Sequence, residues 1–503
     1  MMSESKKLSF SPYMVWGILA VLTLIYGVVL TLTNLGGANA FDALWTDGIW
    51  RIMTSPALLT HDYIAMVGVG PSFINSGLTG LLMLGFFKFA KLPGSGPQMG
   101  VLGLVMGFAF LGKNPANMVP ILLGALLFSA FTKKSGESLR DTYKGHVTFA
   151  GFSTCLAPIV SQAAFLSIGG VAISTGAGIA LGIALGLIIG FVINAMAVFI
   201  RKSHEGLNLY NIGWGAGLIA IGLTVVYTMI GVDRFGPGTP AFDGITAGYA
   251  LGGQALDAYG NPYFLSVAGH YDVFLYVYLV FVAIYFLAMG VLNGGKIGNL
   301  KETLYLKAGD SKFINNMYAK YGPGPVYLAM GFLGVMALVI LLGFGAFGAG
   351  GTGFGIYLNG PILGAIISMI GWGGFGKAVA NAFAIIVGVI AGALVRYFVS
   401  PQFFRDGVGI FEYFTTQSVI WTSAFWGTCL SPMARFFGWK WAIPIGMVHF
   451  AFALSIAPFH WGQNLYNNGL AAGFVCVMMI PIIRALDKKG KYAMEKVYPD
   501  PVE

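Results

Sequence analysis

One polar block occurs twice in this sequence, and its side chains are of the types that bind small polar solutes. The block His204-Glu-Gly-Leu-Asn-Leu-Tyr-Asn-Ile-Gly-Trp-Gly-Ala-Gly217 recurs as His460-Trp-Gly-Gln-Asn-Leu-Tyr-Asn-Asn-Gly-Leu-Ala-Ala-Gly473, with nine matches and no gap. Amides and phenols supply both donors and acceptors of hydrogen bonds. The candidate solute-binding residues are therefore Asn208, Tyr210, Asn211, Asn464, Tyr466 and Asn467. The alternative is structural, because Asn caps helices and glycines at four-residue spacing form a packing face.

Each block begins with a histidine. His204 and His460 could relay protons or bind a substrate near the membrane surface. They could equally cap a helix or lie at the membrane interface. No pair of histidines has metal-ligand spacing with a third ligand nearby, so we expect no metal and no cofactor.

Two lysines occupy a second repeated block, at the junction of two apolar segments. Gly112-Lys113-x-x-Ala116-Asn117 matches Gly376-Lys377-x-x-Ala380-Asn381. Either each block is a tight turn between full spans, or segments 97–132 and 354–397 are re-entrant hairpins that carry the lysine to mid-membrane. In the second case the helix N-termini at Asn117 and Asn381 add partial positive charge. The two lysines and two asparagines would then attract an anion.

A third repeated block places a proline inside an apolar segment. Thr154-Cys155-Leu156-x-Pro158 matches Thr428-Cys429-Leu430-x-Pro432. Proline frees backbone carbonyls, which a membrane tolerates where neighbouring groups or cavity water satisfy them. Thr154 and Thr428 are therefore candidate pathway residues, and a plain helix kink is the alternative.

The composition places all three blocks in a membrane. Of the 503 residues 57% are hydrophobic and only 9% charged, and the mean hydropathy is +0.77. About fourteen apolar segments approach the length of about 20 residues that spans a bilayer. We therefore predict an all-α polytopic membrane protein. The net charge of +9 lies in loops and tails, with no nucleic-acid motif.

Charge bias predicts the orientation of the two copies. The first histidine block follows Arg201-Lys202, whereas the helix of the second block ends at Arg484 and a lysine-rich tail. The equivalent helices would thus run in opposite directions, as in inverted-repeat transporters. The predicted organisation is a cytoplasmic tail (1–12), a first repeat (13–230), an extracytoplasmic linker (231–270), an inverted second repeat (271–486) and a second cytoplasmic tail (487–503).

Two resemblances accompany these patterns. The duplicated Asn-Leu-Tyr-Asn and Gly-Lys-x-x-Ala-Asn blocks resemble a bacterial membrane protein family catalogued as a domain of unknown function, which implies no activity. Over a short stretch, Phe73-Ile-Asn75-Ser-Gly-Leu78-Thr-Gly80-Leu81 is similar to an element of urea transporters. That likeness implies a solute threaded between the repeats, although the second copy keeps only Leu358-Asn359-Gly360 of the element.

The scarcity of carboxylates bears on function. The apolar segments contain almost no Asp or Glu, which proton- and cation-coupled carriers usually require. We therefore expect a transporter or channel for a small polar solute or anion, not an enzyme, in the bacterial inner membrane with both termini cytoplasmic. The expected partners are the lipid bilayer and the solute, without nucleic acid. Whether the protein forms a homo-oligomer is left open by the sequence. The alternatives are a membrane-embedded enzyme acting on a lipid-linked substrate and a membrane scaffold.

Overall fold

The computed structural model describes residues 10–33, 42–59, 61–232, 272–299, 303–304, 316–346, 356–400 and 407–492. The expected linker 231–270 lies outside the described residues except for its first two, as do most of the first tail and the end of the second. Ten helices in the described ranges are long and apolar enough to span a membrane. The chain is thus a multi-pass α-helical membrane protein, as predicted.

The helices of the two repeats follow the same order. The first repeat contains α1 (Pro12–Thr33), a π-helix (Asp42–Trp50), α2 (Arg51–Thr54), α3 (Tyr63–Val67), α4 (Val69–Phe89), α5 (Gly96–Phe108), α6 (Pro115–Thr132), α7 (Leu139–Ser153), α8 (Ala157–Gln162), α9 (Thr175–Ser203) and α10 (Asn211–Met229). The second contains α11 (Asp272–Leu292), α12 (Met317–Tyr321), α13 (Pro323–Ala346), α14 (Gly360–Gly371), α15 (Val379–Val399), α16 (Ile410–Thr416), α17 (Ser418–Gly427), α18 (Ser431–Phe437), α19 (Trp439–Ser455) and α20 (Asn467–Ala485).

Short elements complete the two repeats. A two-stranded antiparallel hairpin, β1 (Ser167–Ile168) and β2 (Val171–Ala172), precedes α9. The 3₁₀ turns are Thr154–Leu156, Ala163–Phe165, Ile297–Asn299, Trp372–Phe375, Thr428–Leu430 and Ala457–His460. The proline-containing blocks thus fold as a 3₁₀ turn that joins two helices in each repeat, where the ordinary ladder of a helix is interrupted.

Equivalent helices of the two repeats run antiparallel, which confirms the inversion. In the pair α1 and α11, Tyr285 Oη donates to Val15 O at 2.5 Å, whereas Tyr26 Oη donates to Phe274 O at 3.0 Å. Residues later in α1 therefore contact residues earlier in α11, as in an antiparallel pair. An antiparallel pairing of equivalent elements requires a pseudo-two-fold axis that lies in the membrane plane.

The helices α5 and α14 pack across this axis through glycines. A Cβ at Gly103 would lie 2.7 Å from Gly371 Cα, and a Cβ at Gly107 would lie 2.4 Å from Gly364 O. Only a residue without a side chain allows such close approach of two backbones. The two repeats are therefore held together along their central helices by backbone contact.

Each repeat also caps the central helix of the other. Asp62 Oδ1 accepts hydrogen bonds from its own helix α3 and from Gly360 N at 3.2 Å, where α14 begins. At the equivalent position Asn316 Oδ1 caps α12 and accepts from Gly96 N at 2.9 Å, where α5 begins. Asp62 is almost fully buried, and its oxygen serves as a cap in the same way as the neutral amide of Asn316.

Residues 97–132 and the described residues 356–397 fold as re-entrant hairpins. Helix α5 has only 13 residues, about 20 Å, and the chain breaks before α6 around Lys113. Helix α6 then runs parallel to α9, since Pro120 lies against Gly186 and Ile121 against Gly190. Helix α7 returns antiparallel to α6, with Tyr143 Oη donating to Leu122 O at 3.2 Å. Both ends of this first hairpin therefore lie at the same face. In the second hairpin α15 runs parallel to α19, since Gly388 lies against Ala442 and Gly392 against Met447.

The lysine positions exclude the other arrangement. Lys113 and Lys377 both have an exposed fraction of 0%, so neither lies at the surface in a tight turn. Because each hairpin returns to the face from which it came, each repeat has five crossings and not the seven counted from the apolar segments. Five is also odd, and an odd number inverts the second copy. The prediction of two inverted repeats is confirmed, with the hairpin alternative accounting for the apolar segments that do not cross.

The two ends of the bundle differ in charge. One end, here called the basic face, is marked by the ion pair between Arg484 and Glu205 and by the bond from Phe10 N to Asn293 Oδ1 at 2.7 Å. Other basic residues at this face include Lys88, Lys91, Arg140, Lys144, Arg201, Lys202, Lys296, Lys320 and Arg435. Arg396 lies at the opposite end. That the basic face is cytoplasmic stays a prediction from the charge bias.

Candidate functional site

Each histidine block folds into a loop that its own histidine closes. His204 Nε2 bonds Asn211 Oδ1 at 2.7 Å, and its Nδ1 accepts from Asn208 N at 3.4 Å. His460 makes the same two contacts with Asn467 and Asn464, at 3.0 and 3.3 Å. Both histidines are fully buried. With both ring nitrogens engaged inside the loop, the histidines serve to shape the turn that starts α10 and α20.

The loops of one repeat bind the proline-containing block of the other. Leu209 N donates to Cys429 O at 2.9 Å, and Leu465 N donates to Cys155 O at 3.0 Å. Asn208 Nδ2 additionally donates to Gly469 O at 3.0 Å. The carbonyls in the Thr-Cys-Leu turns are therefore used, and the two matched blocks form one interlocked centre between the repeats.

Six aromatic rings form a continuous row through this centre. Tyr210 and Tyr466, which are equivalent, have ring centroids 4.7 Å apart. From Tyr466 the row continues through Phe108 to Trp426, with centroid distances of 5.2 and 5.4 Å. From Tyr210 it continues through Trp372 to Phe152, with 5.1 Å at both steps. Each half of the row contains the equivalents of the residues in the other half. These rings fill the space at the pseudo-two-fold axis.

The two buried lysines lie beside this row in different ways. Lys377 Nζ donates to Tyr210 Oη at 2.9 Å and lies 4.5 Å from the centre of its ring. Lys113 Nζ donates to Thr154 Oγ1 at 2.6 Å and lies over Phe108. These are the only hydrogen bonds of the two amino groups to the described residues. The repeats are thus equivalent in sequence but not in contacts.

The remaining predicted residues act mainly as caps. Asn117 Oδ1 accepts from Asn114 N at 2.9 Å, and Asn381 Oδ1 accepts from Ala378 N at 2.8 Å. Thr428 Oγ1 donates to Phe425 O at 2.5 Å. At α6 the side chain of Asn114 caps the amide of Asn117, whereas the N-cap of α15 is Ala378, which has no capping side chain. An anion site at these two helix ends stays a prediction.

A cavity of about 990 Å³ opens on the basic face and ends at the ring row. Arg201 and Lys202 are at its mouth, whereas Tyr210, Tyr466 and Trp372 lie at its inner end. The predicted residues that line it are His204, Asn208, Tyr210, Asn211 and Tyr466. Lys377 lies directly behind Tyr210, whereas Lys113, Asn464 and His460 do not line this cavity.

The equivalent positions on the opposite side are closed. Phe149 lines the cavity and is 37% exposed, whereas its equivalent Ser423 is 1% exposed. Thr148 lines the cavity, whereas its equivalent Thr422 is buried. Across these two pairs the copy in the first repeat is open to solvent and the copy in the second repeat is packed.

The described residues give no indication of a metal centre. Among them no group of three His, Cys, Asp or Glu side chains is placed to hold an ion. The three cysteines are buried and free. The polar and aromatic groups that face the cavity are amides, hydroxyls, aromatic rings, cations and the carboxylate of Glu205, which can bind and orient a solute.

The sequence patterns missed two parts of this centre. In the ring row Phe108 of the first repeat corresponds to Trp372 of the second, and Phe152 corresponds to Trp426, so a search for identical residues does not find the row. A comparison of residue classes in the same frames would have found it. The second part is a fourth repeated block, Gly68-Val-Gly70-Pro71 and Gly322-Pro-Gly324-Pro325, which starts α4 and α13. Gly68 and Gly322 both have a positive φ, of 85° and 76°.

The fold and the central cavity define a class of protein, namely a polytopic α-helical membrane protein made of two inverted repeats. Within that class, the chain belongs to the family described as "Protein of unknown function (DUF1576)", which matches residues 42–229 and residues 301–485. Each match lies within one repeat, in agreement with the duplication. No curated protein and no solved structure matches the chain. The predicted family is confirmed, and the resemblance to urea transporters has no support among these comparisons.

Proposed function

We propose that this protein is a transporter for a small polar solute or anion and that it works by alternating access. The observation that carries the proposal is the cavity of about 990 Å³, which opens on the basic face and ends at the central row of rings. Inverted repeats commonly place a solute site at their interface, and alternating access exposes it to each side in turn. The paired loops of the two repeats lie at such an interface.

The ring row supports a carrier in preference to an open channel. Tyr210 and Tyr466 lie in contact at the inner end of the cavity, and Phe108 and Trp372 flank them. A solute that enters from the basic face would stop at these rings. For the solute to pass, the rings must separate and a path must open on the opposite side, where the equivalent residues of the second repeat are packed.

The unequal lysine contacts suggest how the two repeats exchange states. If the repeats swap conformations, Lys113 would move from Thr154 to Tyr466, and Lys377 would move from Tyr210 to Thr428. Each move replaces one buried hydrogen bond by its symmetry equivalent. Because the number of buried bonds is conserved, the two states can be close in free energy, as a two-state carrier requires.

The proposal is tested by uptake into proteoliposomes that contain the purified full-length protein. A panel of small solutes, neutral and charged, is offered over a range of concentrations. We expect uptake of at least one solute class above that of empty liposomes, with a rate that saturates. A rate that rises linearly with concentration would instead indicate a channel, and no uptake of any class would overturn the proposal.

Two variants and one matched control connect uptake to the centre. Asn208→Ala and Asn464→Ala should each lower uptake, since Asn208 bridges the repeats and each side chain caps the loop beside its tyrosine. The control is Asn194→Ala, because among the described residues the side chain of Asn194 bonds only a carbonyl of its own helix, Gly190 O. Size-exclusion profiles check that each variant is folded. If Asn208→Ala is not folded, Asn208→Asp replaces it in the test, because aspartate keeps the capping oxygen.

A further inference from the structure

We infer that the cavity selects anions, and specifically the carboxylate of a small organic acid with an apolar body. The inference rests on the proposed transport function and names its substrate class. It follows from counting which hydrogen-bonding groups on the cavity wall are already engaged by the protein and which are left for a ligand.

The side-chain acceptors on the wall are engaged. The carboxylate of Glu205 receives two bonds from Arg484, at 2.7 and 2.6 Å. The amide oxygen of Asn208 accepts from Tyr210 N at 2.9 Å. The others are Asn211 Oδ1, which binds His204, and Gln98 Oε1, which accepts from Ser95. A cationic ligand would have to share one of these oxygens with the donor that already uses it, and a buried donor that is displaced costs about 1–3 kcal/mol.

The donors on the wall remain available. Thr148 Oγ1 accepts from Gln98 Nε2 at 2.8 Å, and Tyr210 Oη accepts from Lys377, so each hydroxyl keeps its own proton to donate. The amide nitrogen of Asn211 has no partner among the described residues. Arg201 and Lys202 add two cations at the mouth. Among these lining side chains, the hydrogen-bonding groups left for a ligand are therefore mainly donors.

The charges point the same way. The one carboxylate on the wall is neutralised by Arg484, which leaves the cavity with uncompensated positive charge from Arg201 and Lys202. Behind Tyr210, the amino group of Lys377 is fully buried without a carboxylate partner among the described residues. The charged form of a buried amino group is costly without a partner, and an arriving countercharge stabilises that form. An anion at Tyr210 would supply that countercharge.

The apolar walls define the rest of the ligand. Phe149, Phe152, Trp372 and Phe375 line the cavity around the donors. Pockets of this kind bind ligands that combine an apolar body with a few polar groups. A bare inorganic anion would leave these walls in contact with water, so we expect an organic acid to bind more tightly than phosphate.

Three ligands of equal size and different charge test the inference. Benzoate, benzamide and protonated benzylamine are titrated into the purified full-length protein by isothermal calorimetry, with inorganic phosphate as a fourth probe. We expect benzoate to bind about tenfold more tightly than each of the others, in line with the strength of charge-assisted hydrogen bonds. Equal or tighter binding of benzamide or benzylamine, or no binding of benzoate, would overturn the anion assignment. Phosphate binding as tight as benzoate would overturn the role of the apolar walls.

Variants locate the binding. Arg201→Gln and Tyr210→Phe should each weaken benzoate binding about threefold or more, whereas Lys440→Gln, an exposed lysine outside the cavity, should leave it unchanged. Unchanged binding in both cavity variants would contradict the site. Arg201 is exposed, so its replacement should not affect folding.

Uptake separates this inference from the proposed function. Saturable uptake of benzamide without binding of benzoate would leave the transporter standing and overturn the anion class. Tight binding of benzoate without uptake of any solute would leave the anion site standing and overturn the transporter.

Discussion

The two halves of the centre place equivalent residues in different surroundings. On the basic side, Thr148 and Phe149 line an open cavity, whereas Thr422 and Ser423 at the equivalent positions are packed. Lys377 reaches across to a tyrosine of the other repeat, whereas Lys113 stays with a threonine of its own. Two copies of one unit thus adopt two conformations within one chain. The open half shows what the closed half would become if the repeats exchanged roles.

The largest expected effect comes from removing the backbone contact between the halves. Gly107→Ala would place a Cβ 2.4 Å from Gly364 O, a backbone atom that cannot rotate away. Overpacking of this kind costs about 1–3 kcal/mol, so we expect a clear fall in the thermal unfolding temperature in detergent. The matched control is Gly85→Ala, since a Cβ at Gly85 meets nothing within 4 Å. Equal stability of the two variants would contradict the central packing of α5 against α14.

The next effect distinguishes two working halves from one. Lys113→Met and Lys377→Met each remove a buried amino group with one hydrogen bond. If the halves exchange roles, both lysines serve in turn, and each variant should lower uptake about tenfold or more. Lys440→Met is the control. Normal uptake by Lys113→Met together with inactive Lys377→Met would mean that only the open half binds solute.

The smallest effect concerns the contact that marks the basic face. Glu205→Gln breaks the ion pair with Arg484. In this pair the side chain of Glu205 is 16% exposed and that of Arg484 is 22% exposed. Exposed pairs are worth about 1 kcal/mol or less, and this bidentate, mostly buried pair should be worth somewhat more, so the balance between the two states should shift about tenfold or less. The double variant with Arg484→Gln should shift no further than the single one. Cysteine labelling rates measure the shift, and a clearly larger additional shift in the double variant would show that the pair is not the relevant contact.

The sequence predicted the repeats and their inversion because both depend on local signals. The polar blocks stand out against an apolar background, and the charges near Arg201 and Arg484 report the direction of each helix. The depth of Lys113 and Lys377 was open, since a 13-residue helix next to an 18-residue helix fits both a short span and a hairpin. Only packing against α7 and α9 decides between them.

The candidate site was predicted in part. Asn208, Tyr210 and Asn211 do line the cavity, whereas Asn117 and Asn381 are used as caps. Identity of residue type cannot separate these roles, because an asparagine oxygen caps a helix as readily as it binds a solute. The difference between the halves could not be predicted at all. Two similar sequences give the same pattern whichever of them is open.

The most direct test of alternating halves uses the equivalent threonines. Thr148→Cys and Thr422→Cys are made singly in the otherwise unchanged chain, whose three cysteines are buried. Membrane-impermeant maleimide is applied to sealed vesicles of either orientation. The account predicts that Thr148→Cys reacts only from the basic face and Thr422→Cys only from the opposite face, and that added solute changes the two rates in opposite directions. Reaction of either cysteine from both faces, or rates that change together, would contradict it.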